Sequence, residues 1–160
     1  MQSQRLEPTT VIGAGSWGTA LAIQLARRGH PTRLWGRDRA ELEAMQRTRR
    51  NARYLPEAEF PDALQAVADL GAALAGVRDA LVAVPSHAFR ATLVELEPQL
   101  GLGARIAWAS KGFEIATGLL PHQVANEVLG ERPGAVLPGP TFAREVGAGL
   151  PTAMTVASRD

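Results

Sequence analysis

Cysteine is absent from all 160 residues. That excludes a disulfide scaffold, a thiolate metal site and a cysteine nucleophile together, and it fits a reducing compartment such as the cytoplasm. Histidine is scarce, with three scattered copies, so no metal site is expected. A charge excess is also lacking: 17 Lys and Arg against 16 Asp and Glu leave a net charge of +1, which offers nucleic acid no basic field. No run approaches the roughly 18 apolar residues of a membrane span. The opening MQSQRLEPTT has no apolar core of the kind a signal peptide needs. Internal repeats, low-complexity tracts and an interdomain linker are missing as well.

What remains is an ordinary globular composition, 46% hydrophobic and 21% charged. Roughly 100–200 residues make one domain, and a chain of this size buries about two thirds of the surface its unfolded form exposes. One domain over residues 1–160 is expected, with residues 1–9 loosely ordered.

Short apolar runs alternate with helical stretches. Thr10-Val11-Ile12 reads as a strand ending at Gly13. Trp17, Leu21 and Leu25 recur every fourth residue, which predicts a helix from Trp17 to Arg28 with Gly29 as a left-handed cap. Thr32–Trp35 reads as a second strand. Asp38-Arg39-Ala40-Glu41 has the form of a capping box opening a polar helix through about Arg50. Asn51–Asp62, with Pro56 and Pro61, reads as a connecting loop. Further helices are expected over Leu70–Leu74, Phe89–Leu96, His122–Leu129 and Thr141–Val146. Further strands are expected at Ala80–Val84, Arg105–Trp108, Ala135–Leu137 and Thr152–Ala157. This alternation predicts an α/β domain of the Rossmann type, a doubly wound and mainly parallel sheet with helices on both faces. Ligands on such sheets bind beyond the carboxyl ends of the strands.

Gly13-Ala14-Gly15-Ser16-Trp17-Gly18 is a G-x-G-x-x-G string. The string alone is weak, but here it follows a strand, opens an amphipathic helix and is succeeded by another strand, which is the context it requires. Gly13 then permits the tight turn, Gly15 lets the backbone approach a pyrophosphate, and Gly18 lets helix and strand pack closely. The helix start supplies free N–H groups to the anion. The residues after the second strand bear on the choice between NAD and NADP. Arg37 offers a fork to a 2′-phosphate and favours NADP. Asp38 could touch a ribose, but the capping box makes it a helix N-cap.

Three more segments are specific: Val84-Pro85-Ser86-His87-Ala88-Phe89, Ser110-Lys111-Gly112 and Gly139-Pro140-Thr141-Phe142-Ala143. Together with Val11–Ala22 they closely resemble the bacterial NAD(P)-dependent glycerol-3-phosphate dehydrogenases, in the family's order and spacing from about Thr10 to Ser158. The resemblance implies reversible hydride transfer between NADP or NAD and the dihydroxyacetone phosphate/glycerol 3-phosphate pair, supplying glycerophospholipid synthesis. It implies that Ser16, Trp17, Arg37 and Ala143 line the cofactor site with Phe89 near it. It places Lys111 beside cofactor and substrate, and Gly139 and Thr141 beside the substrate. The bland alternatives are a surface lysine at a strand end for Lys111, a core aromatic for Phe89 and a surface loop histidine for His87. Pro138 departs from the family's pattern, where a small polar residue is commoner, and removes a backbone donor.

The family's acid/base lysine lies in a helical carboxyl-terminal domain beyond the matched segments. No catalytic residue is therefore expected in this chain, which should bind cofactor without turning over. A homodimer is left open for the full-length enzyme. Two other readings are kept: the front half of a hydroxy-acid or ketopantoate-type dehydrogenase, and a free-standing nucleotide-binding regulatory module.

Overall fold

The computed structural model describes residues 6–138 and 142–158. Seven strands form one sheet: β1 (Thr9–Ile12), β2 (Thr32–Trp35), β5 (Leu64–Ala66), β6 (Asp79–Val82), β7 (Arg105–Trp108), β8 (Gly134–Val136) and β9 (Ala157–Ser158). Their spatial order is β5-β2-β1-β6-β7-β8-β9. All neighbours run parallel except β8 and β9, which are antiparallel. The helices are α1 (Ser16–Arg27), α2 (Arg39–Thr48), α3 (Leu70–Leu74), α4 (Ser86–Leu96), α5 (Pro121–Leu129) and α6 (Ala143–Ala148). The order winds outward from β1 through β2 to β5, then returns across the sheet to β6 and winds the other way. The reversal falls between β1 and β6, where a doubly wound sheet opens a crevice.

Alternation along each strand feeds two cores. Val11, Leu34 and Leu81 point into one, with Ala20, Ile23 and Ala26 of α1 and Leu42 and Met45 of α2. Ile12, Trp35, Val82, Ile106 and Trp108 point into the other, with Phe89, Leu93 and Leu96 of α4 and Val124 of α5. Side chains on successive strand residues face opposite sides, so one short apolar run serves both layers. Each fully buried Ile, Leu or Val contributes about 1.5–3 kcal/mol. Thr10 is fully buried on β1, and its hydroxyl is satisfied by donating to the Ala73 carbonyl at 2.5 Å.

Most expected elements form where the pattern placed them, within a residue or two. Gly29 adopts a positive φ of 76° and donates to the Ala26 carbonyl, closing α1. Asp38 caps α2 by accepting from the Glu41 N–H at 3.0 Å. The reciprocal arm of that box is diverted, because the Glu41 carboxylate pairs with Arg53 at 2.6 Å.

Four expectations are corrected. The stretch from Asn51 to Asp62 is not a plain loop: β3 (Arg50–Asn51) and β4 (Leu55–Glu59) form a separate antiparallel hairpin. Pro56 is tolerated because a two-stranded hairpin leaves edge positions that need no N–H donor. The strand β5 that follows went unforeseen; it extends the sheet beside β2, and Gln46 reaches over to accept from the Ala66 N–H at 2.8 Å. The helix expected from Thr141 starts at Ala143 with Phe142 as N-cap, and the last strand is only Ala157–Ser158. Thr9, expected in the loose amino-terminal segment, is paired on both sides within β1.

Candidate functional site

Five strand ends are brought level by four backbone bonds that continue the ladder. Gly13 N–H donates to Trp35 O at 2.8 Å, Ala83 N–H to Ile12 O at 2.7 Å, Ala109 N–H to Val82 O at 2.9 Å and Leu137 N–H to Trp108 O at 2.9 Å. The glycine loop, Gly36-Arg37, Ala83–Pro85 and Ala109–Lys111 therefore all emerge along one rim.

The three loop glycines are required for different reasons. Gly13 has a φ of 117°, and a Cβ on it would run into the Ala83 carbonyl. A Cβ on Gly18 would run into the Gly13 carbonyl. Both are closed by protein backbone. Above Gly15 there is nothing within 4 Å, so its missing side chain faces open space at the mouth of α1. Gly36 guards the other flank, where a Cβ would come within 2.9 Å of the Ala14 methyl.

Helix α1 starts with Gly15 as N-cap, no side-chain cap and no acidic residue in its first turn. Its first intrahelical acceptor, Gly15 O, is taken by Thr19 N–H, so the N–H groups of Ser16, Trp17 and Gly18 precede the helical ladder. This is an open positive helix end beside an open space, the arrangement that receives a phosphate.

The structure brings Lys111 to the same place. Its Nζ lies 5.8 Å from the centroid of the Trp17 ring, within the range of a cation–π contact. The Trp17 indole N–H is buried and makes no hydrogen bond among the described residues. Ser110, next to Lys111, donates its hydroxyl to the Val84 carbonyl at 2.6 Å. Beyond Lys111 the chain turns at Gly112, φ 87°. Glu114 then receives two bonds from Arg90 on α4, at 2.8 and 2.9 Å. Those bonds, with a third from Thr117, hold the Glu114 carboxyl down to about 2, against an ordinary 4.5.

Arg37 is exposed at the end of β2, with no ion pair or hydrogen bond among the described residues. Ala143 opens α6 and packs, like Trp17, against the core beneath α1; Gln24 of α1 ties the two helices by donating to Val146 O at 2.7 Å. Phe89 does not join the rim. It is 2% exposed and stacks edge-on against Trp108, 6.2 Å between centroids, because the first turn of α4 aims its ring into the second core. His87 is exposed beside it. Gly139 and Thr141 lie outside the described residues.

Asn51 was missed. It is fully buried on β3, and its amide donates to Ala14 O at 3.0 Å and to Thr19 Oγ1 at 2.8 Å while accepting from Tyr54 N–H at 3.2 Å. It fixes the glycine loop from behind. A lone Asn in a polar stretch carries no pattern that would single it out.

A cavity of about 630 Å³ lies apart from this rim, lined by Trp108, His122, Asn126, Leu129, Val136 and Ser158 among others. None of Gly13, Gly15 and Gly18 borders it. Among the described residues no helix is long and apolar enough to cross a membrane, and no three His, Asp or Glu side chains gather as a metal-ligand set.

A doubly wound, mainly parallel sheet with a glycine loop and an open helix end at its reversal defines a dinucleotide-binding domain of the Rossmann class. The model of one family, NAD-dependent glycerol-3-phosphate dehydrogenase N-terminus, matches residues 8–160, and the chain belongs to that family. A glycerol-3-phosphate dehydrogenase (NAD(P)+) of Yersinia pestis is 57% identical over 151 residues, which are 94% of this chain and 44% of that protein. The crystal structure of a Coxiella burnetii glycerol-3-phosphate dehydrogenase superposes with a TM-score of 0.92 at 45% identity, over 96% of this chain and 47% of that one. The Saccharomyces cerevisiae enzyme gives a TM-score of 0.84 at 27% identity, over 96% and 48%. A ketopantoate reductase from Ralstonia eutropha shares the fold alone, with a TM-score of 0.59 at 23% identity. The chain thus spans less than half the length of each of these glycerol-3-phosphate dehydrogenases.

Proposed function

We propose that this chain is the cofactor-binding half of a glycerol-3-phosphate dehydrogenase, and that its rim holds NADP or NAD with a preference for NADP. The observation that carries the reading is the open, uncapped start of α1 beneath the empty space above Gly15. Those features fit a pyrophosphate: Gly13 and Gly18 are closed by backbone, whereas Gly15 alone leaves room for a group to approach. The N–H groups of Ser16, Trp17 and Gly18 would hold the anion, and Ala143 would wall the site from α6. Arg37, exposed at the end of β2, would clasp a 2′-phosphate. Phe89 would act from the core, by seating the first turn of α4.

When bound, the cofactor supplies or accepts the hydride exchanged with dihydroxyacetone phosphate or glycerol 3-phosphate. Lys111 would steady the negatively charged substrate, with Gly139 and Thr141 beside it, and the Trp17 ring would hold the ammonium at the mouth of the site. By the family resemblance, the proton donor for the carbonyl oxygen would come from a helical half beyond these segments. Binding without turnover is accordingly the expected behaviour of these 160 residues. The setting that suits the reading is cytoplasmic glycerophospholipid synthesis.

Calorimetric titration with NADPH and NADH, repeated with dihydroxyacetone phosphate present, tests this. NADPH binding that tightens with the phosphate supports it; no binding of either nucleotide overturns it. Arg37→Ala should cut the NADPH-to-NADH affinity ratio by about tenfold or more, the worth of a charge-assisted hydrogen bond. An unchanged ratio removes Arg37 from the role.

A further inference from the structure

We propose that Arg90 is a positioning residue for Lys111, acting through Glu114. The proposal rests on the reading of Lys111 as part of the cofactor and substrate site. Lys111 belongs to a three-residue bridge, Lys111–Phe113, fixed at both ends to the same unit of β6 and α4. At the near end, Ser110 Oγ donates to Val84 O at 2.6 Å, just before α4 begins. At the far end, the Arg90 guanidinium clamps Glu114 with two parallel hydrogen bonds of 2.8 and 2.9 Å. This fork-to-fork pairing fixes direction as well as distance.

The segment behind Glu114 is closed on itself. Glu114 N–H donates to Leu119 O at 2.8 Å and Gly118 N–H to Glu114 O at 2.7 Å. Thr117 Oγ1 donates to the same carboxylate at 2.5 Å. Glu114 is therefore the handle of a compact knot, and Arg90 holds that handle. The void under the knot, bordered by Phe89, Arg90, Phe113 and Val124, is about 10 Å³, no more than one water could fill. Arg90 also reaches Glu127 on α5 at 2.7 Å. That side chain is 54% exposed, against 16% for Glu114, and among the described residues it makes no bond to the knot, so the two arms can be told apart.

Lys111 is the chain's sole lysine, which gives a direct readout: the rate at which an amine-acylating reagent labels it, followed by peptide mapping across a pH series. Glu114→Gln keeps the shape but loses the charge. It should raise the labelling rate, speed amide exchange over 112–119, and weaken NADPH binding about five- to tenfold. Glu127→Gln should stay within about twofold of wild type in all three, as expected of an exposed pair. Arg90→Met should reproduce Glu114→Gln, and Arg90→Lys, which keeps a cationic donor, should recover part of the loss. The proposal is overturned if Glu114→Gln leaves Lys111 labelling and NADPH affinity unchanged, or if Glu127→Gln does equal damage. Should Glu114→Gln not fold, the Arg90→Lys and Arg90→Met pair decides in its place. Wild-type protein that fails to bind NADPH would sink the cofactor reading, while the ligand-free labelling and exchange would still decide the clamp.

Discussion

The ammonium of Lys111 stands 5.8 Å from the centroid of the Trp17 ring, joining the loop after β7 to the first turn of α1. An exposed pairing of this kind is worth about 0.5–1 kcal/mol, too little to hold the fold but enough to bias where the charge rests. Because no other lysine competes, its occupancy can be read chemically. NADPH at about ten times its Kd should slow acylation of Lys111 about tenfold by mass action. Labelling of the amino terminus should not change. Equal labelling of Lys111 with and without nucleotide would separate this lysine from the cofactor site.

The three loop glycines should separate folding from binding. Gly15→Ala places a methyl in open space at a φ of −75°, so its thermal midpoint should match wild type, within about 0.5 kcal/mol of stability. Its NADPH affinity should nevertheless fall about tenfold or more, because a methyl there blocks the approach of the pyrophosphate. Gly18→Ala forces a methyl against the Gly13 carbonyl and should cost about 2–3 kcal/mol in a denaturant melt, before any ligand is added. Equal melting of the two variants would contradict this division.

The fold was legible because its strands carry alternating apolar residues that feed two cores, as Val11 and Ile12 do. The helices were legible because Leu21, Leu25 and Gly29 mark period and end. The glycine loop and Lys111 were visible as motifs. The hairpin β3–β4 and the edge strand β5 were not, since runs of two, five and three residues are too short for a period and Pro56 reads as a breaker. Three-dimensional closure was invisible too. Phe89 looks the same in sequence whether its ring faces rim or core, and nothing in the letters says that Arg90 and Glu114, 24 positions apart, meet.

Asn51 is the sharpest of the features that only the folded chain reveals, and it predicts an unusual pair of variants. Asn51→Ala takes the side-chain partner from the buried Thr19 hydroxyl and from the part-buried Ala14 carbonyl and Tyr54 N–H. About 2–3 kcal/mol of stability should be lost, and the glycine loop should bind NADPH more weakly. Asn51→Asp accepts from Tyr54 but, once ionised, cannot donate to Ala14. Burial beside a carbonyl raises the folded pKa of such an acid, so its penalty is present at neutral pH and relieved as acidification protonates it. A melt of this variant that improves from pH 7 towards pH 5, relative to wild type, is the expected outcome.

Acid should act on the native chain in the opposite sense. Glu114, held at about 2 against an ordinary 4.5 by the Arg90 and Thr117 hydrogen bonds, is a group whose folded pKa is depressed. Asp79 is depressed likewise, chiefly by its hydrogen bonds from Arg105 and against a partly opposing desolvation. The stability that such groups contribute is fully present above their ordinary values and is lost as pH falls through the window towards the folded ones. Denaturant midpoints should therefore hold from pH 7 to about 5 and decline from about 4.5 towards 2, the window that Glu114 sets. Glu114→Gln should start lower and decline less, because the residue that takes up the proton is gone. Asp79→Asn should flatten the curve less, since its carboxylate and the Arg105 side chain are both more than a third exposed and water screens the pair. Parallel acid profiles for wild type and Glu114→Gln would mean that the Arg90 clamp contributes nothing measurable to folding, leaving the orientation of Lys111 as its one consequence.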